Sequence, residues 1–102
     1  KPTTETEHPM SLEINHMLAL STAHLTPRTC NDILPKLEAD LPVWPKGEYG
    51  WFIYASTEIG ELAEPLPTDL EAAILFAKAQ GCDYLMFDRD WPIAETLPTY
   101  DW

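Results

Sequence analysis

The sequence predicts one small α+β domain in which an antiparallel sheet carries two helices on one face. Four short runs of apolar and aromatic residues are typical of strands, and helix-start signals stand at Thr26 and at Thr68. Along the chain these elements follow the order strand, helix, strand, strand, helix, strand. This βαββαβ order favours a ferredoxin-like layout built from two right-handed crossovers. A chain of 102 residues, 45% of them hydrophobic, has room for a single core.

The N-terminal part holds a tail and the first strand. The first nine residues include no large apolar side chain, so we expect residues 1–10 to form a flexible tail and residues 11–102 to form the domain. Because the chain does not begin with Met, we expect it to be processed, tagged or cut from a longer protein. The apolar run from Met17 to Leu25 predicts the first strand.

The first helix is predicted to begin at Thr26 and Pro27, a favourable pair of N-cap and first-turn residues. Pro35 interrupts this helix, because proline removes an interior hydrogen bond and crowds the preceding turn. We therefore expect a kink or a break between residues 31 and 34. The apolar side chains spaced to form one stripe toward the core are Ile33, Leu37 and Leu41.

A β-hairpin is predicted next. Two β-rich segments, Leu41–Pro45 and Tyr49–Ser56, flank a turn centred on Gly47. Alternate residues of the second segment should point to opposite sides of the sheet. The predicted faces are Trp51, Ile53 and Ala55 on one side, and Phe52 and Tyr54 on the other. Because both faces are apolar, we expect this strand to be central in the sheet.

The second helix follows an acidic loop. Thr68 and Glu71 have the spacing of a capping box, and Gly81 is placed to end the helix in a left-handed conformation. We therefore predict a helix over residues 69–80. The apolar segment from Tyr84 to Phe87 predicts the last strand of the sheet.

The charge predicts the class of partner. The chain has 17 acids against 6 Lys and Arg residues, which gives a net charge of −11. Such a surface repels nucleic acid and anionic membranes, whereas it attracts basic proteins. We therefore expect a basic protein partner, no direct binding of nucleic acid and no membrane association. The chain has two cysteines but no secretory signal, and it has no apolar run of the roughly 20 residues that a membrane span requires. We therefore expect the protein in the cytoplasm.

An aromatic sheet face surrounded by acids is the predicted binding site. A sheet with helices on one side leaves its other face open, and exposed aromatic faces are typical of protein contacts. We therefore predict a non-enzymatic binding protein. We also expect no cofactor, because the four glycines form no phosphate-binding loop. A second copy of the chain is an alternative partner, which would give a homodimer. The candidate residues are Trp51, Phe52, Tyr54, Glu58, Glu61, Glu64, Asp88 and Asp90.

A metal-dependent site is the alternative function. Asp88 and Asp90 flank Arg89 at a strand end, so both carboxylates would point to one side of an extended chain and hold a divalent cation. His24 is the best placed histidine for a third ligand or for acid–base chemistry. The same residues also fit turn chemistry at the strand end, with the ring of His24 bonded to backbone.

Four strings resemble a known group of proteins: HLTP at 24–27, GEYGWF at 47–52, FDRD at 87–90 and LPTYDW at 97–102. Over His24 to Trp102 the chain resembles a family of small uncharacterised bacterial proteins encoded on plasmids and genomic islands, near antirestriction and toxin–antitoxin genes. The resemblance implies an accessory protein of a mobile element, in the bacterial cytoplasm. It carries no catalytic residue over to this chain. One version of the predicted function is a DNA mimic, whose carboxylates imitate phosphates and block a DNA-binding protein.

Overall fold

The structure, a computed structural model, describes residues 12–37, 41–62 and 65–102. Four strands form one sheet in the order β1-β4-β3-β2, and one α-helix follows the hairpin made by β2 and β3. β1 is parallel to β4, while the β3–β4 and β2–β3 pairs are antiparallel. The elements are β1 (Met17–Ser21), β2 (Val43–Lys46), β3 (Gly50–Tyr54), α1 (Thr68–Ala79) and β4 (Tyr84–Asp88).

The sheet differs from the predicted one, because it is mixed rather than wholly antiparallel. In the ferredoxin-like layout β1 lies inside the sheet, whereas here β1 is an edge strand and β4 lies between β1 and β3. That layout is therefore not confirmed. Three successive residues of β4, Leu85, Met86 and Phe87, are buried. A strand that is apolar on both faces is best covered between two neighbours, which gives a physical reason for its inner position.

The first helical segment is short and broken, as Pro35 predicts. The hydroxyl of Thr26 accepts a hydrogen bond from the N–H of Thr29 at 3.1 Å, so the predicted N-cap is confirmed. A π-helical turn (Thr29–Ile33) then passes directly into a 3₁₀ turn (Leu34–Lys36). The helix does not continue toward Leu41, although Leu41 is buried in the core.

α1 has nearly the predicted bounds but a different start. The predicted capping box is wrong: Pro67 is the N-cap, and its carbonyl accepts from the N–H of Glu71 without a side-chain cap. The helix ends at Ala79, and Gly81 just beyond it adopts the predicted left-handed conformation, with a φ of +79°. β1 is shorter than predicted, because a 3₁₀ turn (Thr22–His24) replaces its second half. None of the described helices has the length and apolarity needed to cross a membrane.

The core lies between α1 and one face of the sheet. Its helical side is the buried stripe Leu70, Ala73, Ile74 and Ala77, and its sheet side is Leu20, Ile53, Leu85 and Phe87. Ala55 is fully buried and Trp51 packs against this cluster, whereas Phe52 and Tyr54 belong to neither group. The predicted alternation along β3 and its inner position are therefore confirmed. The predicted tail, residues 1–10, lies outside the described residues.

Candidate protein-binding face

The face of the sheet opposite α1 is rich in aromatic side chains; we call it the outer face. The registers of the three strand pairs place its residues in rows across the sheet. Because side chains alternate along each strand, every row contains residues that point to the same side. The rows are Met17–Tyr84–Tyr54, then Ala19–Met86–Phe52–Trp44, and finally Ser21–Asp88–Gly50–Lys46.

The aromatic rings on the outer face contact one another. The ring of Tyr84 lies 5.3 Å from that of Tyr54 in an edge-on arrangement, and 6.5 Å from that of Trp44. None of the three belongs to the core cluster or is packed against it. Trp44 is 46% exposed and Met17 is 47% exposed. A connected set of partly exposed aromatic rings is a surface suited to contact with another protein.

One end of the outer face is polar. The ammonium of Lys46 donates a 2.8 Å hydrogen bond to Oδ2 of Asp88, and Oδ1 of Asp88 accepts the N–H of Asp90 at the same distance. The hydrogen bond from Lys46, with that from the Asp90 backbone, holds the pKa of the Asp88 carboxyl below its ordinary value. Asp88 thus combines an ion pair with a turn at the strand end. Asp90 is exposed in that turn.

The structure places Trp51 and Glu58, two of the other predicted residues, away from this face. Trp51 points to the core side of the sheet. Glu58 borders a groove of about 540 Å³ that also involves Leu75 of α1, on the helical side of the molecule. Glu61 is exposed in a 3₁₀ turn (Ile59–Glu61). Glu64 lies outside the described residues.

Tyr49 lies just before β3, and its ring is near two cations. The guanidinium of Arg89 is 4.8 Å from the centre of its ring, and the ammonium of Lys46 is 5.8 Å away. The carbonyl of Tyr49 also accepts the N–H of Arg89 at 2.8 Å. Tyr49 and Arg89 border a cleft of about 290 Å³ together with Trp51 and Trp102. These contacts show that aromatic rings of this molecule already hold basic side chains by cation–π attraction.

Both ring nitrogens of His24 are hydrogen-bonded to the backbone of the C-terminal segment. Its Nε2 accepts the N–H of Ala94 at 2.9 Å, so its Nδ1 carries the proton and donates to the carbonyl of Pro98, also at 2.9 Å. The indole N–H of Trp102 donates to the carbonyl of Leu25 nearby. A ring bonded to backbone is one of the two interpretations of His24 that the sequence allows. The bonded segment, however, is 70 residues away along the chain.

Among the described residues, the candidate ligands of the alternative metal site are not brought together. Both ring nitrogens of His24 are engaged, and Asp88 is paired with Lys46. Over the residues that the structure describes, no group of three His, Cys, Asp or Glu side chains is placed to hold a metal ion. Burial raises the pKa of the Cys30 thiol, although a hydrogen bond with Trp51 opposes the shift. A raised pKa keeps this thiol protonated and a weak nucleophile.

The acids form an exposed and largely unpaired set. Of the twelve acids in the described ranges, eight are exposed, and a single acid, Asp69, is buried. Asp69 accepts from the N–H of Thr26 at 2.8 Å and from the hydroxyl of Thr29 at 3.0 Å, so its role is to join α1 to the first helical segment. Among these twelve, the one that forms an ion pair with another described residue is Asp88. The exterior therefore retains its negative charge.

Sequence reasoning missed Trp44, Tyr84 and Met86 as members of the outer face. The alternation in β4 was sufficient to place Tyr84 and Met86 on one side of that strand. The alternation does not show which strands lie next to β4. The pairing of β4 with β3 is what brings Tyr84 beside Tyr54 and Trp44. Strand partners come from distant parts of the chain, so the composite surface has no local signature.

The fold and this face define a small α+β protein with an acidic exterior and an open aromatic sheet surface. The chain belongs to the family described as "Family of unknown function (DUF5983) C-terminal domain", whose sequence profile matches residues 17–102. The match starts at the first residue of β1 and covers every described strand and helix. Searches of curated proteins and of solved structures found no match to the chain.

Proposed function

We propose that this chain is a non-enzymatic binding protein whose outer face docks a basic protein partner. The observation that carries the proposal is the connected set of Trp44, Tyr54 and Tyr84, which lies on the side of the sheet away from α1 and outside the core. Phe52 lies on the same side, opposite Trp44 and Met86 in the register. Interfaces draw much of their affinity from a few large aromatic side chains, Trp and Tyr above all. In this chain such side chains are concentrated on one face of a rigid sheet.

The charge selects the partner's chemistry. With a net charge of −11 and exposed acids that form no ion pair with another described residue, the molecule attracts a basic surface from a distance and repels acidic ones. Arginine side chains stack on aromatic rings and are enriched at interfaces. The contact of Arg89 with Tyr49 is an example of this chemistry within the molecule. We therefore assign the outer face to a partner that presents arginine.

The resemblance to proteins encoded near antirestriction genes supports a more specific version. In this version the partner is a restriction or other DNA-binding protein, and the chain acts as a DNA mimic and an accessory protein of a mobile element. The exposed carboxylates then occupy the places that phosphates take in the DNA complex. Its distinguishing property is competition, because the chain and the DNA would occupy the same basic surface.

The test compares two tryptophans of equal exposure. Trp44 is 46% exposed on the outer face, and Trp91 is 48% exposed beyond the end of β4, outside the sheet. A basic protein captured from the native host is purified, and its affinity is measured for the unchanged chain, Trp44→Ser and Trp91→Ser. We expect Trp44→Ser to weaken binding by about tenfold or more, because truncation of a large aromatic residue that anchors an interface costs roughly 2 kcal/mol. Trp91→Ser should leave binding unchanged.

Salt and DNA complete the test. Affinity should fall as salt rises, because the partner is recognised partly through charge. Equal effects of the two substitutions, or binding that is insensitive to salt, would contradict the proposal. For the DNA-mimic version, the chain should displace DNA from the partner in a competition assay. Simultaneous binding of DNA and chain would rule out that version alone.

A further inference from the structure

The two edges of the sheet differ in their capacity to accept another strand. The β2 edge carries Pro45 and Lys46, and both residue types discourage strand addition at an edge. β1, with the sequence MLALS, contains neither proline nor a charged residue. Edge strands without such protection are templates for pairing with another chain. Within the part of the chain that the structure describes, the sheet is thus protected at one edge and open at the other.

The backbone register shows which groups of β1 are free. The carbonyl of His16 accepts the N–H of Tyr84 on β4. Because successive residues of a strand direct their backbone groups to opposite sides, the N–H and C=O of Met17 and Ala19 point away from β4. Within the described ranges, no backbone group from outside the sheet bonds to these two residues. Among the described residues, they form a short row of donors and acceptors without backbone partners.

The residues before β1 extend this edge with apolar side chains. Leu12 is 79% exposed and Ile14 is 77% exposed, and they alternate with Glu13 and Asn15. This period of two is typical of a strand with one apolar side. Met17, at the start of β1, is also exposed. In an extended chain Leu12 and Ile14 share one side and Met17 lies on the other, so exposed apolar side chains flank this edge on both sides of the sheet.

The local charge indicates what occupies the edge. Residues 14–31 contain no Asp or Glu, in a chain whose net charge is −11. A basic partner would find no carboxylate there, whereas a second acidic copy would meet no repulsion along this stretch. A two-fold symmetric contact uses the same patch on both partners, and an antiparallel pair of identical strands satisfies that condition.

We propose that the chain forms a two-fold dimer through antiparallel pairing of β1 with β1 of a second copy. In this pairing Met17 lies opposite Met17 of the second copy, and Asn15 lies opposite Ala19. The outward N–H and C=O groups of the two edges bond to each other, and the two sheets join into one of eight strands. Met17 and Ala19 belong to both surfaces, but the dimer contact uses their backbone edge and leaves the aromatic rings of the outer face open, so it goes beyond the function proposed above.

The test measures mass and affinity on the full chain. Sedimentation equilibrium from micromolar to submillimolar concentration should give twice the 11.6 kDa of one chain. Met17→Lys places like charges opposite each other and should raise the dimer Kd about tenfold or more. The matched control is Leu75→Lys, since Leu75 is 50% exposed on α1 and Met17 is 47% exposed on the edge. The control should dimerise like the unchanged chain.

A second pair of variants keeps the test independent of folding defects. Ala19→Pro removes an N–H that points away from β4, so it should abolish dimerisation and preserve the β1–β4 ladder. In a Cys82→Ser background, Met17→Cys should form an intermolecular disulfide with an added oxidant, and Leu75→Cys should not. A chain that stays monomeric throughout overturns the proposal. So does a dimer that is unaffected by Met17→Lys and is not cross-linked by Met17→Cys.

Ionic strength separates this proposal from the previous one. Two copies that each carry −11 repel each other at long range, so higher salt should strengthen the dimer. The same change should weaken the binding of a basic partner. Opposite salt dependences make it possible to reject one proposal while the other stands.

Discussion

Gly50 is the position at which a single methyl group should have the largest effect on stability. A Cβ at this residue would lie 1.6 Å from the carbonyl oxygen of Phe87 and 2.6 Å from its carbonyl carbon, whereas real Cβ contacts stay beyond 3.0 Å. The obstructing atoms are backbone of the neighbouring strand, so no side-chain rotation relieves the overlap. Ala at this position must push β3 away from β4 at this end.

The cost of Gly50→Ala follows from what the displacement breaks. At this end the N–H of Arg89 donates to the carbonyl of Tyr49, and Trp51 pairs with Phe87. Loss of roughly three backbone hydrogen bonds, each with a net value of about 1 kcal/mol, gives an expected loss of about 3 kcal/mol. That is a large fraction of the roughly 5–15 kcal/mol by which small domains are stable. For a domain of about 100 residues it corresponds to a decrease in Tm of about 15 °C.

Two other glycines calibrate the measurement. A Cβ at Gly60 would meet no atom within 4 Å, so Gly60→Ala should change stability by less than about 0.5 kcal/mol. Gly81 has open space but a φ of +79°, so Gly81→Ala should cost about 1 kcal/mol through backbone strain. Thermal and urea unfolding, followed by circular dichroism, should rank the variants in that order. A Gly50→Ala protein as stable as Gly60→Ala would refute the close approach of β3 and β4.

Three further predictions concern buried or paired polar groups. His24→Leu removes both hydrogen bonds to the C-terminal segment, so amide exchange should accelerate in residues 94–102 while α1 stays protected. Asp69→Ala leaves a backbone N–H and a hydroxyl without their acceptor and should cost about 2 kcal/mol in urea unfolding, with an unchanged m-value. The lowered pKa of Asp88 means that its pair with Lys46 stabilises the fold at pH values above 3.8, the ordinary pKa of this carboxyl. This contribution is lost as the pH falls from 3.8 through the pKa of Asp88 in the folded state. Lys46→Met should remove this part of the acid dependence, and an unchanged profile would contradict it.

Local signals predicted most of the elements because they act over a few residues. Thr26 caps its helical turn through an oxygen three residues from the donor, and Pro35 breaks the helix by sterics within one turn. Gly81 ends α1 through its own backbone conformation. The capping box at Thr68 failed because the Pro67 carbonyl already accepts the N–H of Glu71 and the neighbouring Asp69 is used for a tertiary contact.

The candidate site was predictable only in part. The alternation along β3 correctly separated Phe52 and Tyr54 from Trp51. The acids expected to surround these rings are dispersed: Glu58 lies on the helical side, and Asp88 is paired with Lys46. Loop direction after β3 depends on how the following helix packs, and no pattern within the loop records that direction.

The sequence by itself determined the hairpin, the bounds of α1, the break at Pro35, the two faces of β3 and the net charge, because each depends on neighbouring residues or on composition alone. Only the tertiary structure decided that β4 lies between β1 and β3, that β1 forms an open edge, and that Trp44, Tyr54 and Tyr84 share one surface. The order of strands depends on how much apolar area each arrangement removes from water over the whole molecule. That quantity depends on contacts between residues far apart in the chain, which local patterns do not encode.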